Sequence, residues 1–190
     1  MYVGVALLAD QATQRLVARL RRDLRAHGAA VPHLPLPAHI SLKQPFVCED
    51  LAPVEAWSER LAASLPPVSI ALHGLCYGEY AGQGIVGLQV VETPFLRALH
   101  NRINAELAAV VADPSAPFDG DAYRFHMTVA MGPLDADRLY RRYCEALADR
   151  RLDHAMVARR LGLAVCHVVQ PTPQDWRLHR QLPLANPSQR

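Results

Sequence analysis

Lysine is almost missing from this sequence: Lys43 stands alone among 20 Lys and Arg residues in a chain of 190. A high-GC codon habit accounts for that bias. Long apolar runs are missing as well. None reaches the roughly 18 residues that a membrane span needs, so no membrane partner is expected. The opening stretch, Tyr2 to Ala9, is too short for a secretory leader and follows no basic region. It reads as a first β-strand, with the cytoplasm as the default address. Cysteines are few and scattered (Cys48, Cys76, Cys144, Cys166), and no C-x-x-C pair occurs. That leaves zinc and dithiol redox classes unsupported and favours buried, reduced thiols. Charge of one sign is also lacking. A net charge of +2 is too small to hold nucleic acid by bulk electrostatics.

What is present is an apolar majority, 51% hydrophobic against 20% charged residues, enough for a sizeable core in one large domain or two small lobes. The run Tyr2–Ala9 suits a strand covered on both faces. Asp10 then caps a helix with Leu16, Val17, Leu20 and Leu24 in one stripe, and with Arg15, Arg19, Arg22 and Arg25 outside it. His27-Gly28 ends that helix, and a proline-rich loop from Val31 to Pro37 leads into a short strand, 38–43. A second helix, 52–65, carries Val54, Trp57, Leu61 and Leu65, and a strand follows at 67–79. From Gly84 the order restarts. Ile85–Val91 is a strand, and Thr93-Pro94 opens a helix with Leu96, Leu99, Ile103, Leu107 and Val110 at helical spacing. A loop over 113–122 with Pro114, Pro117 and Gly120 precedes a strand at 123–130. A fourth helix, 135–149, carries Leu139, Tyr143 and Leu147. Strands at 160–169 and 176–184 complete the chain.

The expected class is therefore α+β: a β-α-β-α-β unit used twice, in halves near 1–80 and 84–184 of a single bilobal domain. Its two antiparallel-type sheets would flank a central cleft, with helices outside. The halves share almost no identity except at one step. The third element of each holds His39-Ile40-Ser41 or His126-Met127-Thr128, and no other of the nine histidines is followed two residues later by Ser or Thr. Chance alone yields two such tripeptides in roughly one sequence in ten of this composition. Equivalent placement in both halves is what makes the pair informative.

Strand residues i and i+2 face the same way. His39 and Ser41 project together, with Lys43 next along, and His126 projects with Thr128, with Arg124 just before them. Side by side, the two strands would present two imidazoles, two hydroxyls and positive charge. In-line displacement at a phosphodiester needs a base for the attacking oxygen and an acid for the leaving oxygen. Imidazole serves either role near neutrality. The hydroxyls suit the non-bridging oxygens. Neither a metal nor a cofactor is required.

These residues resemble the two-histidine phosphoesterase superfamily, in its branch of 2′-5′ RNA ligase and RNA 2′,3′-cyclic phosphodiesterase proteins. Its tandem motif is histidine, any residue, Thr or Ser, then a hydrophobic residue. His39-Ile40-Ser41-Leu42 and His126-Met127-Thr128-Val129 both satisfy it. The resemblance implies a bilobal fold around a water-filled cleft, with His39 and His126 as the acid/base pair and Ser41 and Thr128 as phosphate donors. The partners it implies are RNA ends or small nucleotides bearing a cyclic phosphate. Many relatives place an arginine shortly after the second motif, where this chain has Ala130-Met131. Arg124 or Lys43 is the candidate for that charge. Phe46 and Tyr123 are candidate platforms for a nucleobase. His73, His100 and His167 have no equivalent motif, and His100 is expected on a helix surface or in packing. Three other readings compete: a non-catalytic RNA-end or nucleotide-binding module, an ADP-ribose cyclic phosphate phosphodiesterase, and a metallohydrolase using His39, His126 and Asp121.

Overall fold

Three helices begin where the sequence offers a capping side chain. In the computed structural model, which describes residues 1–185 apart from 29–30, 32–33, 81, 117–118, 134–136 and 148–151, Asp10 Oδ1 accepts from Thr13 N at 2.8 Å and opens α1 (Gln11–Ala26). Asp50 Oδ1 accepts from Ala52 N at the start of α2 (Leu51–Ser64). Thr93 Oγ1 accepts from Leu96 N, with Pro94 in the first turn of α3 (Pro94–Leu107). The stripes then seat these helices: Val17, Leu20 and Leu24; Val54, Trp57 and Leu61; and Leu96, Leu99, Ile103 and Leu107 are all buried. Each such side chain contributes about 1.5–3 kcal/mol, far more than helix propensity does per residue. The arginines of α1 outside its stripe, Arg15, Arg19, Arg22 and Arg25, are exposed as expected.

The strands are β1 (Tyr2–Leu8), β2 (His39–Val47), β3 (Val68–Tyr80), β4 (Gln83–Val90), β5 (His126–Pro133), β6 (His154–Ala158), β7 (Arg160–Cys166) and β8 (Arg177–Pro183). They form two four-stranded antiparallel sheets, in the orders β2-β1-β7-β8 and β5-β4-β3-β6. The expected α+β class with two antiparallel sheets is what the fold shows. Residues 1–80 and 84–184, however, do not coincide with the two sheets. β3, from the first half, lies between β4 and β6, while β7, from the second, lies beside β1. The helices cross in the same manner: α1 packs on β5 and β6, and α3 packs on β2. Each sheet is thus completed by the other half of the chain.

Several boundaries differ from expectation: β2 runs on to Val47 past the expected end at 43, and β7 stops at Cys166 rather than at 169. β6, a five-residue edge strand, has no strong alternation and follows a segment read as helix. That helix, α4, is described over Asp137–Ala146, and Leu147, within the expected 135–149, lies past its end. Residues 135–136 and 148–149 and the side chain of Leu139 lie outside what is described, as does Pro117 of the expected loop. β5 begins at His126 rather than at Tyr123, because the Tyr123 carbonyl accepts from Arg97 Nη2 at 2.8 Å instead of joining the ladder. The first residue of β2 is His39, so both motif histidines open an edge strand, and these two edge strands approach one another across the sheet boundary.

Candidate active site

The approach to each histidine is held from a helix. The Gln14 amide on α1 clamps both backbone groups of Ala38, donating from Nε2 to the carbonyl at 3.0 Å and accepting from the amide at 2.9 Å. On the other strand Arg97 of α3 performs the matching task at Tyr123. Each ring is then fixed by the same local bond. His39 Nδ1 donates to Pro37 O at 2.8 Å, and His126 Nδ1 donates to Arg124 O at 3.0 Å. A carbonyl only accepts, so Nδ1 must carry the proton in both rings. Nε2 is left as the working nitrogen, and both side chains are only partly exposed.

Beyond the histidines the two strands repeat a second feature. Ser41 pairs with Ala6 and Thr128 with Gly87, so each hydroxyl faces a small residue on the neighbouring strand. The next paired positions are Lys43 with Val5 and Ala130 with Val86, which makes Leu42 and Val129 the extra residues of two β-bulges. Their carbonyls are taken by side chains from the crossed helices. His100 Nδ1 donates to Leu42 O at 2.8 Å, and Arg21 Nε donates to Val129 O at 2.7 Å. The Ser41 and Thr128 hydroxyls form no bond among the described residues.

Electrostatics bears on the first ring. His39 is held below the usual histidine range, first by burial and further by the charges of His126 and Arg21, against the bond to Pro37.

Three of the candidate binding residues are placed elsewhere. The bulge at Leu42 breaks the two-residue alternation, and Lys43 is turned into the protein, 1% exposed and ion-paired with Asp119. It walls a cavity of about 480 Å³ shared with Asn101, Asn104 and Asp113, which includes neither histidine. Phe46 is 1% exposed and belongs to the core. Tyr123 is buried, its ring stacked on His100 with centroids 4.5 Å apart, and its hydroxyl donates to Ser41 O at 2.7 Å. Burial pushes that phenol well above its ordinary range. Neither aromatic ring offers a face to a nucleobase. Arg124 is exposed, with its guanidinium turned onto the carbonyls of Asp121 and Tyr123. His100 proves to be packing, fully buried, with Nε2 accepting from Gly120 N at 3.0 Å. Asp121 sits exposed on the 3-10 turn Gly120–Ala122.

Arg21 was not among the sequence candidates, although the signal was there. It lies four residues after Val17 and three before Leu24, on the buried side of α1.

A model of the 2′-5′ RNA ligase superfamily matches residues 8–168. The chain belongs to this superfamily. It is accordingly a two-histidine phosphoesterase by family, and the solved structures agree in fold. TT0787 of Thermus thermophilus superposes with a TM-score of 0.62 at 16% identity, covering 98% of this chain and 100% of that one. Escherichia coli LigT complexed with ATP gives 0.61 at 15% identity, with 97% and 98% covered. Kluyveromyces marxianus Usb1 with uridine monophosphate gives 0.57 at 13%, with 96% and 98% covered. No curated protein matches the sequence. For this superfamily member the two crossed sheets, with one motif histidine heading each edge strand, are the features that the fold and the motif share.

Proposed function

We propose that the chain is a phosphodiesterase that hydrolyses a 2′,3′-cyclic phosphate, on an RNA end or a nucleotide, by general acid–base catalysis without a metal. The observation that carries this reading is the matched pair of rings. Each has Nδ1 committed to the carbonyl two residues upstream, and so each has Nε2 for proton transfer. His39, kept neutral by its surroundings, is the base: its Nε2 takes a proton from water as the water oxygen bonds to phosphorus. His126 is the acid: its Nε2 gives a proton to the ribose oxygen as the P–O bond breaks, leaving a phosphomonoester. Ser41 and Thr128 donate to the non-bridging oxygens, where negative charge must be held. Ligands of the structural neighbours support a nucleotide phosphate as substrate, since LigT is complexed with ATP and with NADP+ and Usb1 with uridine monophosphate.

The test is hydrolysis of a panel of 2′,3′-cyclic nucleotides, ADP-ribose cyclic phosphate and 2′-5′ dinucleotides in EDTA. Turnover on the cyclic nucleotides should survive the chelator. It should fall by a factor of about 10² or more in each of His39→Ala and His126→Ala. Nucleotide binding without turnover would make the chain a binding module instead, and dependence on added metal would remove the two-histidine mechanism.

A further inference from the structure

Two of the cations near the motifs are already engaged: Lys43 by Asp119, and Arg124 by backbone carbonyls. After Thr128 the strand continues with Ala130 and Met131, so β5 itself brings no cation to its hydroxyl. Arg21 is different. Its Nε is spent on Val129 O, next to Thr128 on the strand that begins with His126. Its Nη1 and Nη2 form no bond among the described residues, and no described carboxylate pairs with it. Arg21 is half-buried. Removing an ion from water without a counter-charge is costly, and burial, with the Arg25 charge, holds the Arg21 guanidinium below its ordinary range. A guanidinium anchored by Nε keeps two parallel N–H donors on its outer edge, the arrangement that matches two oxygens of a phosphate.

We infer that Arg21 receives the non-bridging oxygens of the substrate phosphate with its two Nη groups, beside Thr128, and is the cation of this site. This rests on the phosphodiester reading above. It assigns to α1, a helix remote in sequence from the second motif, a direct part in binding. The Nε bond to Val129 O sets the position of the fork before substrate arrives, so little side-chain freedom is lost on binding.

The test uses the full chain with Arg21→Gln, Arg21→Lys and Arg21→Ala. Affinity for inorganic phosphate and for uridine 3′-monophosphate is measured by calorimetry, alongside Tm and kcat/KM on a cyclic nucleotide. Arg21→Gln and Arg21→Ala should weaken both ligands by roughly 10- to 100-fold, and Arg21→Lys by less, since it keeps the charge but not the fork. Affinities within about twofold of the parent, with only Tm lowered, would show that Arg21 merely caps the bulge carbonyl and would overturn the inference. Arg21→Lys covers the case in which the uncharged variants fail to fold. The two readings fail separately. Unchanged kcat/KM in Arg21→Gln removes Arg21 and leaves the hydrolase. A parent chain that binds the monophosphate through Arg21 but turns over no cyclic phosphate removes the hydrolase and leaves Arg21.

Discussion

At the scale of the residue, the site rests on how one proton is placed on each imidazole. Both Nδ1 atoms are committed to a carbonyl two residues upstream, so rotation of the ring or exchange of tautomer would cost that bond, worth about 0.5–1.5 kcal/mol net. His39 is further biased toward neutrality by burial and by its charged neighbours. That bias enters stability with a definite sign. Between its lowered folded pKa and the unfolded value near 6.5, the unfolded chain binds the extra proton. The native state therefore loses stability as pH falls through that window and keeps its full contribution above it. Urea unfolding of the parent and of His39→Gln at pH 7.5 and pH 5.5 measures this. The parent should lose more stability than the variant on acidification, and equal losses would mean that His39 is not held neutral.

At the scale of the element, each motif strand is edge-placed and bulged one residue past its hydroxyl. The bulge explains why Lys43 leaves the face that Ser41 occupies, a consequence that strict alternation does not anticipate. It also explains why a partner from the opposite helix is needed at each site: the extra residue's carbonyl falls out of the ladder, and an unpaired buried carbonyl is costly. Gly87, opposite Thr128, reports how tightly the second strand is seated. A Cβ there would lie 3.2 Å from both Cys76 Sγ and Met127 O, and 3.7 Å from His126 Cβ. Gly87→Ala should cost about 1–3 kcal/mol by overpacking, read from the denaturation midpoint. Adding Cys76→Ala should return only part of that, because the Met127 carbonyl remains. Full recovery in the double variant would locate the strain on the thiol alone and free the histidine strand from it.

At the scale of the whole molecule, the crossing of β3 and β7 between the sheets makes the two halves of the chain interdependent. Residues 1–80 alone would leave β1 without β7 and β3 without β4 and β6, with the apolar faces of both sheets open to water. Neither residues 1–80 nor residues 82–190 should fold when expressed alone, as judged by chemical-shift dispersion, whereas the two fragments mixed should give a folded complex. A half that folds by itself would contradict the interleaved topology. The same crossing ties the two motif strands together. α1 reaches from the first half to the strand of the second motif through Arg21, and α3 reaches back to the first strand through His100. Each motif strand is thereby held by a helix that comes from the other half of the chain.

Much of this was written in periodicity. Helical stripes such as Leu96–Leu99–Ile103–Leu107, the caps Asp10 and Thr93, and the paired His-x-Ser and His-x-Thr steps are local patterns, because spacing along the chain decides which side chains share a face. Which sheet a strand joins, the bulges at Leu42 and Val129, the burial of Phe46, Tyr123 and Lys43, and the arrival of Arg21 at β5 came only from tertiary structure. Each depends on contacts between residues distant in sequence, where strand pairing and competition for buried hydrogen-bond partners outweigh local preference. An aromatic or a lysine beside a motif looks the same in sequence whether its neighbour in space is solvent, a substrate or Asp119.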